Sequence, residues 1–427
     1  MQNVKGTYDF FGKDQALRKK VQNTLAEVFE LYDFDGMDSA ILNERELLTA
    51  KYAGGDEIVK EMYQLTDQGE RKLGLRYDLT IPFAKVVAQN PGLIFPYKRY
   101  EIGKVFRDGP VKRGRLREFL QCDVDVVGIP GPEAEAELMQ VAVEGFARLE
   151  IPIILRWNNR RFLGDVLEAV GVQPEDKLSV MLTLDKLEKI GRGGVLQELA
   201  DKKLDAQAVS ALAEMMEMEN PTFERLSSIY AIRETKGAQE VLRLQALLHK
   251  LGLEETCRFD PFLSRGLSFY TGTIYEIFDA SGSLSSSLGG GGRYDAIIGT
   301  LVGREDLPYP AVGISFGMEA IMALLADRNV ETPKADVTVI PIGDTAAAAL
   351  QTAALLRSGG IRTSVEVTGR KLKNALATAS TRGTQYVILI GEDEVAAGML
   401  RLKDMNAGTE RVLPLEEAVH ILTKAIM

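Results

Sequence analysis

Cysteine, histidine and tryptophan are scarce in this chain: its 427 residues include two cysteines, two histidines and one tryptophan. Cys122 and Cys257 are too few for a disulfide framework and lack zinc-site spacing. His249 and His420 lie in helix-like surroundings without a partner pattern, so neither triad nor thiol chemistry is supported. No protein-held metal and no prosthetic group are expected. No run of 18 apolar residues occurs, which excludes a transmembrane helix. The opening stretch MQNVKGTYDFFGKDQ has no apolar signal region, so a cytoplasmic location without membrane contact is expected. Phosphate loops of the G-x-x-x-x-G-K-[ST] type are missing, and no G-x-G-x-x-G follows a strand. Net charge is −10, which argues against a general nucleic-acid binder held by counterion release. It leaves room for a large RNA reached through local basic faces.

One segment reverses that sign. Between Tyr97 and Gly128 stand Lys98, Arg99, Lys104, Arg107, Lys112, Arg113, Arg115 and Arg117, against Glu101 and Asp108 before Glu118. The pattern predicts a strand over 100–106, a loop with Gly109, Pro110 and Gly114, and a return strand over 119–127. A hairpin with a cationic tip suits a polyphosphate, because guanidinium forks match phosphate oxygens. A solvated basic loop would show the same composition.

Elsewhere the periodicity predicts helices over 14–32, 79–90 and 132–149, and strands over 61–66, 72–77 and 151–157. Glu133 and Glu135 fall in a first helical turn, where the dipole favours them. From 159 to 251 strand signals vanish and helical periods take over. Strands return over 266–279. The glycines 289–292 are read as a strand turn that lets backbone approach closely, with Arg293 beside it. A strand over 312–316 leads into a helix over 318–325. After a linker at 327–333, strands and helices alternate (337–342, 345–358, 362–367, 371–380, 386–390), which indicates a small α/β domain with parallel pairing. The expected division is 1–158 and 252–326 for an interrupted core, 159–251 for a helical insertion and 334–427 for the α/β domain.

Arg76-Tyr77-Asp78-Leu79-Thr80 sets a carboxylate and a hydroxyl just after a strand. Arg265-Gly266-Leu267-Ser268-Phe269-Tyr270-Thr271-Gly272 sets an arginine and two aromatics around a glycine turn. Arginines, carboxylates and backbone suit positional and electrostatic catalysis, and phosphoryl or nucleotidyl transfer needs little else. Together with the hairpin they point to an ATP-using site.

These residues resemble those of histidyl-tRNA synthetases, class II aminoacyl-tRNA synthetases, over essentially the whole chain. Gly6-Thr7-Tyr8-Asp9 is similar to the family's G-T-x-D. Leu75 to Thr80 resembles the histidine-binding L-R-Y-D-L-T of the eukaryote-like branch or a bacterial paralogue of it. The hairpin resembles motif 2, Arg265 to Glu276 the histidine-specific R-G-L-D-Y-Y-T-G, and Gly290–Asp295 with Val312–Glu319 the glycine-rich strand and motif 3. The last 94 residues resemble the anticodon-binding domain. The implied fold is an α+β catalytic core, an antiparallel sheet flanked by helices, with a helical insertion and a C-terminal α/β domain.

The resemblance implies a histidine–tRNA ligase. It would adenylate L-histidine with ATP and Mg2+, then load the 3′ end of tRNA-His, as a homodimer. Arg107 and Arg265 would be catalytic, on the α-phosphate. Asp78, Leu79, Thr80, Gln121, Asp125, Phe269 and Tyr270 would surround histidine, together with Arg107 and Arg265. Gln121 and Asp125, four apart on a strand, share a face. Arg113, Arg115, Arg117 and Arg293 would take the ATP tail alongside Arg107. Motif 3 usually ends in Glu-Arg, whereas Ala320 follows Glu319, which leaves that arginine's role vacant or for Arg293. Motif 1 lacks its usual proline at 38–41, and Ser268 and Phe269 replace Asp and Tyr. The alternative implied by Ala320 is an impaired paralogue that senses histidine as a regulatory protein. The C-terminal domain weighs against it.

Overall fold

The computed structural model describes all residues except 50–59, 112–113, 203, 266–268, 305–308, 327, 329–333 and 427. Arg113, the 266–268 part of the glycine turn and most of the expected linker therefore lie outside the described residues. The chain divides into two compact units, Met1–Asn329 and Val330–Met427.

The first unit is built on an eight-stranded sheet. Its strands are β1 (Asp35–Gly36), β5 (Tyr97–Phe106), β6 (Glu118–Val127), β7 (Ile153–Asn159), β8 (Cys257–Phe259), β9 (Thr273–Asp279), β10 (Gly289–Arg293) and β11 (Ala311–Gly317). They lie in the order β1-β5-β6-β11-β10-β9-β7-β8. All neighbours pair antiparallel except β1 with β5 and β7 with β8. A separate three-stranded sheet holds β2 (Leu42–Glu44), β3 (Gln64–Thr66) and β4 (Lys72–Leu75).

Side chains alternate between faces along each strand. One face of the large sheet carries Cys122, Val124, Ile314 and Phe316 and is apolar. Phe316 packs against Phe29 and Phe146, at ring-centroid distances of 5.5 and 5.7 Å. Those rings come from the helices Gly12–Leu31 and Glu133–Arg148, whose buried residues recur at three and four. The other face is polar.

Helices Arg160–Ala169, Lys177–Leu184, Leu187–Asp201, Ala206–Glu217, Phe223–Ile229 and Lys236–Lys250 fill the stretch without strand signals. Asn159, Asp205, Thr222 and Thr235 cap four of them by accepting from first-turn N–H groups. Rings of Trp157, Phe162, Phe223 and Phe259 join these helices to β7 and β8.

The second unit holds a five-stranded sheet, β13-β12-β14-β15-β16. β12 (Val337–Pro341), β13 (Thr363–Val365) and β14 (Tyr386–Ile390) are parallel. β15 (Met399–Asp404) and β16 (Glu410–Pro414) add an antiparallel edge that the sequence pattern does not signal. Helices Ala346–Ser358 and Leu415–Ile426 contribute to one core, and Leu372–Thr381 packs against Ile340, Val387 and Leu389 in another.

The glycines 289–292 do not form a turn. They run inside β10, between β9 and β11. A Cβ added at Gly291 would stand 2.0 Å from the Gly313 carbonyl oxygen. Gly291→Ala is therefore expected to lower stability by about 3 kcal/mol, read by denaturant titration. Gly193→Ala, in a helix with nothing within 4 Å of the new Cβ, is expected to raise it by up to about 1 kcal/mol. Equal behaviour of the two variants would show that the strand spacing is not tight.

Candidate active site

Register places the polar face of the large sheet residue by residue. Across β5 and β6, Arg99 faces Asp125, Glu101 faces Asp123 and Gly103 faces Gln121. Across β6 and β11, Asp125 faces Gly313, Asp123 faces Ser315 and Gln121 faces Gly317. Across β11 and β10, Gly313 faces Gly292 and Ser315 faces Gly290. Gln121, Asp123 and Asp125 thus form one row, bordered by a floor of glycines. That floor leaves room for larger groups above it. A Cβ at Gly290 would meet Arg265 Nη1 at 1.9 Å, one at Gly292 would meet Tyr270 at 2.9 Å, and one at Gly313 would meet Asp125 Oδ1 at 1.9 Å.

Asp125 is held from two sides. Tyr294 donates its hydroxyl to Oδ1 at 2.6 Å, and Arg99 Nη2 stands 2.7 Å from Oδ2 as an ion pair rather than an aligned hydrogen bond. Tyr294 is not among the residues expected in the site. Its place two residues past the glycines is the available signal. Gln121 donates to Ser315 Oγ at 2.9 Å, and its Oε1 has no hydrogen-bond partner.

Asp78 follows β4 and accepts the Ile81 N–H at 3.1 Å, anchoring it at the start of the helix Thr80–Gln89. Thr80 opens that helix. Burial pushes the Asp78 carboxyl up to about 6, against the pull of the Ile81 N–H and Arg107. Leu79 is fully buried, and its carbonyl accepts from Arg99 at 3.1 Å.

Arg107 leaves the end of β5, donating Nε to the Tyr77 carbonyl at 3.0 Å, beside the Phe119 ring. Its guanidinium lies in the field of Asp78. Arg265 stands on the far side of β11 from these groups. It takes a left-handed conformation with φ 55°. Its N–H donates to Asp185 Oδ1 at 2.6 Å, Nη1 reaches the Tyr275 carbonyl at 3.3 Å, and Glu276 lies 3.9 Å away. Asp185, from the helical insertion, thus fixes the backbone of this arginine. Phe269 and Tyr270 pack with their rings tilted by 51° and centroids 4.6 Å apart, and Phe269 meets Tyr294 edge-on.

The hairpin is less free than its composition suggests. Lys98 pairs with Glu137, Lys104 with Glu118, Arg115 with Glu61 and Arg117 with Asp108. Arg99 is buried in the sheet. Most of the local positive excess is balanced by acids, two of them distant in sequence.

Arg293 is a firm correction. An odd position in β10, it points away from the glycine floor and into the helical layer. Its Nε and Nη2 donate to Glu135 at 2.7 and 2.6 Å, and Nη1 and Nη2 reach the carbonyls of Ile129 and Gly131. Asp295 adds a contact at 3.2 Å. Such a guanidinium cannot hold a triphosphate. Glu135 accordingly serves this pair rather than the helix dipole alone. Ala320 is nearly buried, and the adjacent Glu319 is gripped by Arg18 at 2.8 and 2.9 Å. That pair is scaffold.

Arg293→Ala would strand the Glu135 carboxylate and is expected to remove about 3–5 kcal/mol of stability, measured by chemical denaturation. An unchanged stability with a raised KM for ATP would restore its nucleotide role. A pH effect follows from the carboxyl row. Burial, Asp125 and Asp78 push Asp123 up to about 7, and Asp78 sits at about 6. Both bind protons in the folded state that the unfolded chain has released, so stability falls as pH rises through 6 and 7. Melting temperatures of the ligand-free protein from pH 5 to pH 8 are expected to decline, with a flatter profile for Asp123→Asn.

A family model described as histidyl-tRNA synthetase matches residues 6–321, and one described as an anticodon binding domain matches residues 336–425. A histidine–tRNA ligase 1 of Bacillus cereus is 44% identical over 427 residues, covering 99% of this chain and 100% of the relative. Histidine–tRNA ligase 2 of Shouchella clausii is 45% identical over 422 residues, covering 97% and 98%. The histidyl-tRNA synthetase of Nostoc sp. PCC 7120 superposes with a TM-score of 0.82 at 25% identity, covering 100% of this chain and 99% of that one. The sheet, its glycine floor and its carboxyl row thus coincide with family matches along nearly the full length: the chain belongs to the histidyl-tRNA synthetase family.

Proposed function

We propose that this chain is a histidine–tRNA ligase, with the glycine-floored trough as its adenylation site. The observation that carries the reading is the convergence of Asp78, Gln121, Arg107 and Arg265 on one sheet face. Asp78 would receive the substrate ammonium, whose charge would draw its carboxyl back toward ionisation. Gln121 Oε1, without a partner, is a further acceptor for it. Tyr270 and Phe269 would close over the imidazole.

The substrate carboxylate oxygen attacks the α-phosphorus of ATP and pyrophosphate leaves. No protein group has to move a proton, because the nucleophile is already an anion. Arg107 and Arg265 would approach the α-phosphate from opposite sides and stabilise charge that grows in the transition state. In the second step the tRNA 3′-terminal hydroxyl attacks the acyl carbon, the acyl–phosphate C–O bond breaks, and AMP leaves with its phosphate taking up the hydroxyl proton. Arg115 and Arg117, already paired with Glu61 and Asp108, would have to exchange partners to meet the ATP tail, and Arg113 remains a candidate for it.

Magnesium would arrive on the triphosphate. Among the described residues no group of three or more metal-binding side chains gathers, and a cation that keeps its waters and phosphate oxygens needs none. The anticodon-binding match over 336–425 favours tRNA as partner over a histidine-sensing role. A homodimer and a cytoplasmic location complete the proposal. Among the described residues no helix is long and apolar enough to cross a membrane.

The test is histidine-dependent exchange of pyrophosphate into ATP. Wild type is expected to exchange only with histidine present. Arg107→Ala is expected to lose about 10²–10³-fold in rate, and Arg115→Ala less than about tenfold. Small, equal losses would overturn the assignment of Arg107. No exchange with intact histidine binding by calorimetry would overturn the ligase reading.

A further inference from the structure

The carboxyl row has a member that the roles above leave unused. Asp123 sits between Gln121 and Asp125 on the same face of β6, opposite Ser315 and next to the glycine floor. It is 4% exposed, and its Oδ1 has no hydrogen-bond partner. Asp125 differs: Tyr294 and Arg99 occupy one oxygen each. Gln121 Oε1, two residues away on the same face of the strand, is also buried without a partner. Buried polar atoms are ordinarily satisfied, and a cluster that is not indicates a missing partner.

We propose that Asp123 is a specificity-determining residue, whose open carboxylate oxygen receives a ring N–H of bound histidine. This rests on the placement of the histidine pocket proposed above. An imidazole always presents at least one N–H. An aliphatic or phenyl ring presents none and would leave the Asp123 oxygen desolvated without a partner, which is how polar pockets reject isosteres. Asp125, pinned by Tyr294 and Arg99, forms the rigid wall behind it.

The unliganded state supports a functional rather than a structural role. Asp123 is surrounded by Asp78, Asp125 and Glu101, with Arg99, Arg107, Tyr270 and Tyr294 as the other charged or titratable groups facing it. Arg99 is the principal compensating charge, and it is shared with Asp125 and Glu101. A carboxylate so placed strains the empty protein. Residues that weaken the fold while shaping a site are the expected signature of function.

The experiment measures histidine affinity by calorimetry and by pyrophosphate exchange, with melting temperature in parallel, for wild type, Asp123→Ala and Asp123→Asn. Asp123→Ala is expected to weaken histidine binding by about tenfold or more, to leave the KM for ATP within about twofold, and to raise the ligand-free melting temperature by about 2–4 °C. Asp123→Asn, isosteric and with one acceptor retained, is expected to fall between, and it keeps the test open if the alanine variant does not fold. Histidine affinity within about twofold of wild type in the variants that fold would overturn the proposal. So would a lower melting temperature with equal losses toward histidine and ATP, the mark of a scaffold residue. Wild type that binds histidine without exchange would count against the ligase reading alone, and calorimetry would still decide the role of Asp123. Wild type that does not bind histidine would overturn both.

Discussion

A chain of buried charges ties the site together. Arg76 donates to Glu101 at 2.6 Å, Arg99 stands 3.8 Å from Glu101 and 2.7 Å from Asp125, and Tyr294 donates to Asp125 at 2.6 Å. All five are buried. Arg76 also grips the Ser39 carbonyl and hydroxyl and the Lys104 carbonyl. One connected network therefore joins the segment before β2, the turn that carries Asp78, both hairpin strands and the residue after β10. Buried ions of this kind contribute little net stability, but removing one partner leaves the others uncompensated in low dielectric. The network is a positioning device. Its members cannot change rotamer singly, so the carboxyl row on β6 and Asp78 keep their spacing.

Around that device the sheet divides its labour by parity. Even positions of β10 are bare, and the large groups above them, Arg265 and Tyr270, come from the loop before β9. Odd positions face the helical layer, where Arg293 and Glu135 bind the sheet to the helix Glu133–Arg148. The same five-residue strand thus supplies an open floor on one side and a buried ion pair on the other. A one-residue slip would exchange the two and destroy both.

Much of this is legible from sequence because it is local. The hairpin strands, the helix before β7, the helical stretch and the strand–helix alternation near the C-terminus follow from period and turn residues. Gln121 and Asp125 share a face by simple alternation. What escapes is long-range. The sequence counts charges within a segment, but Arg115 is answered by Glu61 and Lys98 by Glu137, far outside it. Arg293 escapes because a run of glycines reads as a turn, and a turn has no parity to place the next side chain. β15 and β16 carry charges on short strands at a sheet edge, where hydrophobic alternation is weak. Asp123 shares the parity of its neighbours, yet what distinguishes it is an unfilled hydrogen bond, which only the assembled sheet defines.

The helical insertion reaches the candidate site through backbone contacts: Arg160 donates its N–H to the Gly272 carbonyl at 2.9 Å, and Asp185 holds Arg265. Arg265 has a left-handed backbone, which a residue with a Cβ adopts only when its surroundings over-determine it. Here Asp185 Oδ1 accepts its N–H, while the side chain is confined between Gly290, the Tyr275 carbonyl and Glu276. Asp185 ends the insertion helix Lys177–Leu184 and is exposed, whereas the guanidinium it helps to aim lies over the glycine floor. A shift of that helix end by about one ångström would carry the contact beyond hydrogen-bond reach and release the strained turn. The arginine would then lose its approach to the trough, although no residue of the trough had moved. The insertion is therefore mechanically coupled to the trough: it helps to set the orientation of one of the two arginines proposed to act on the α-phosphate.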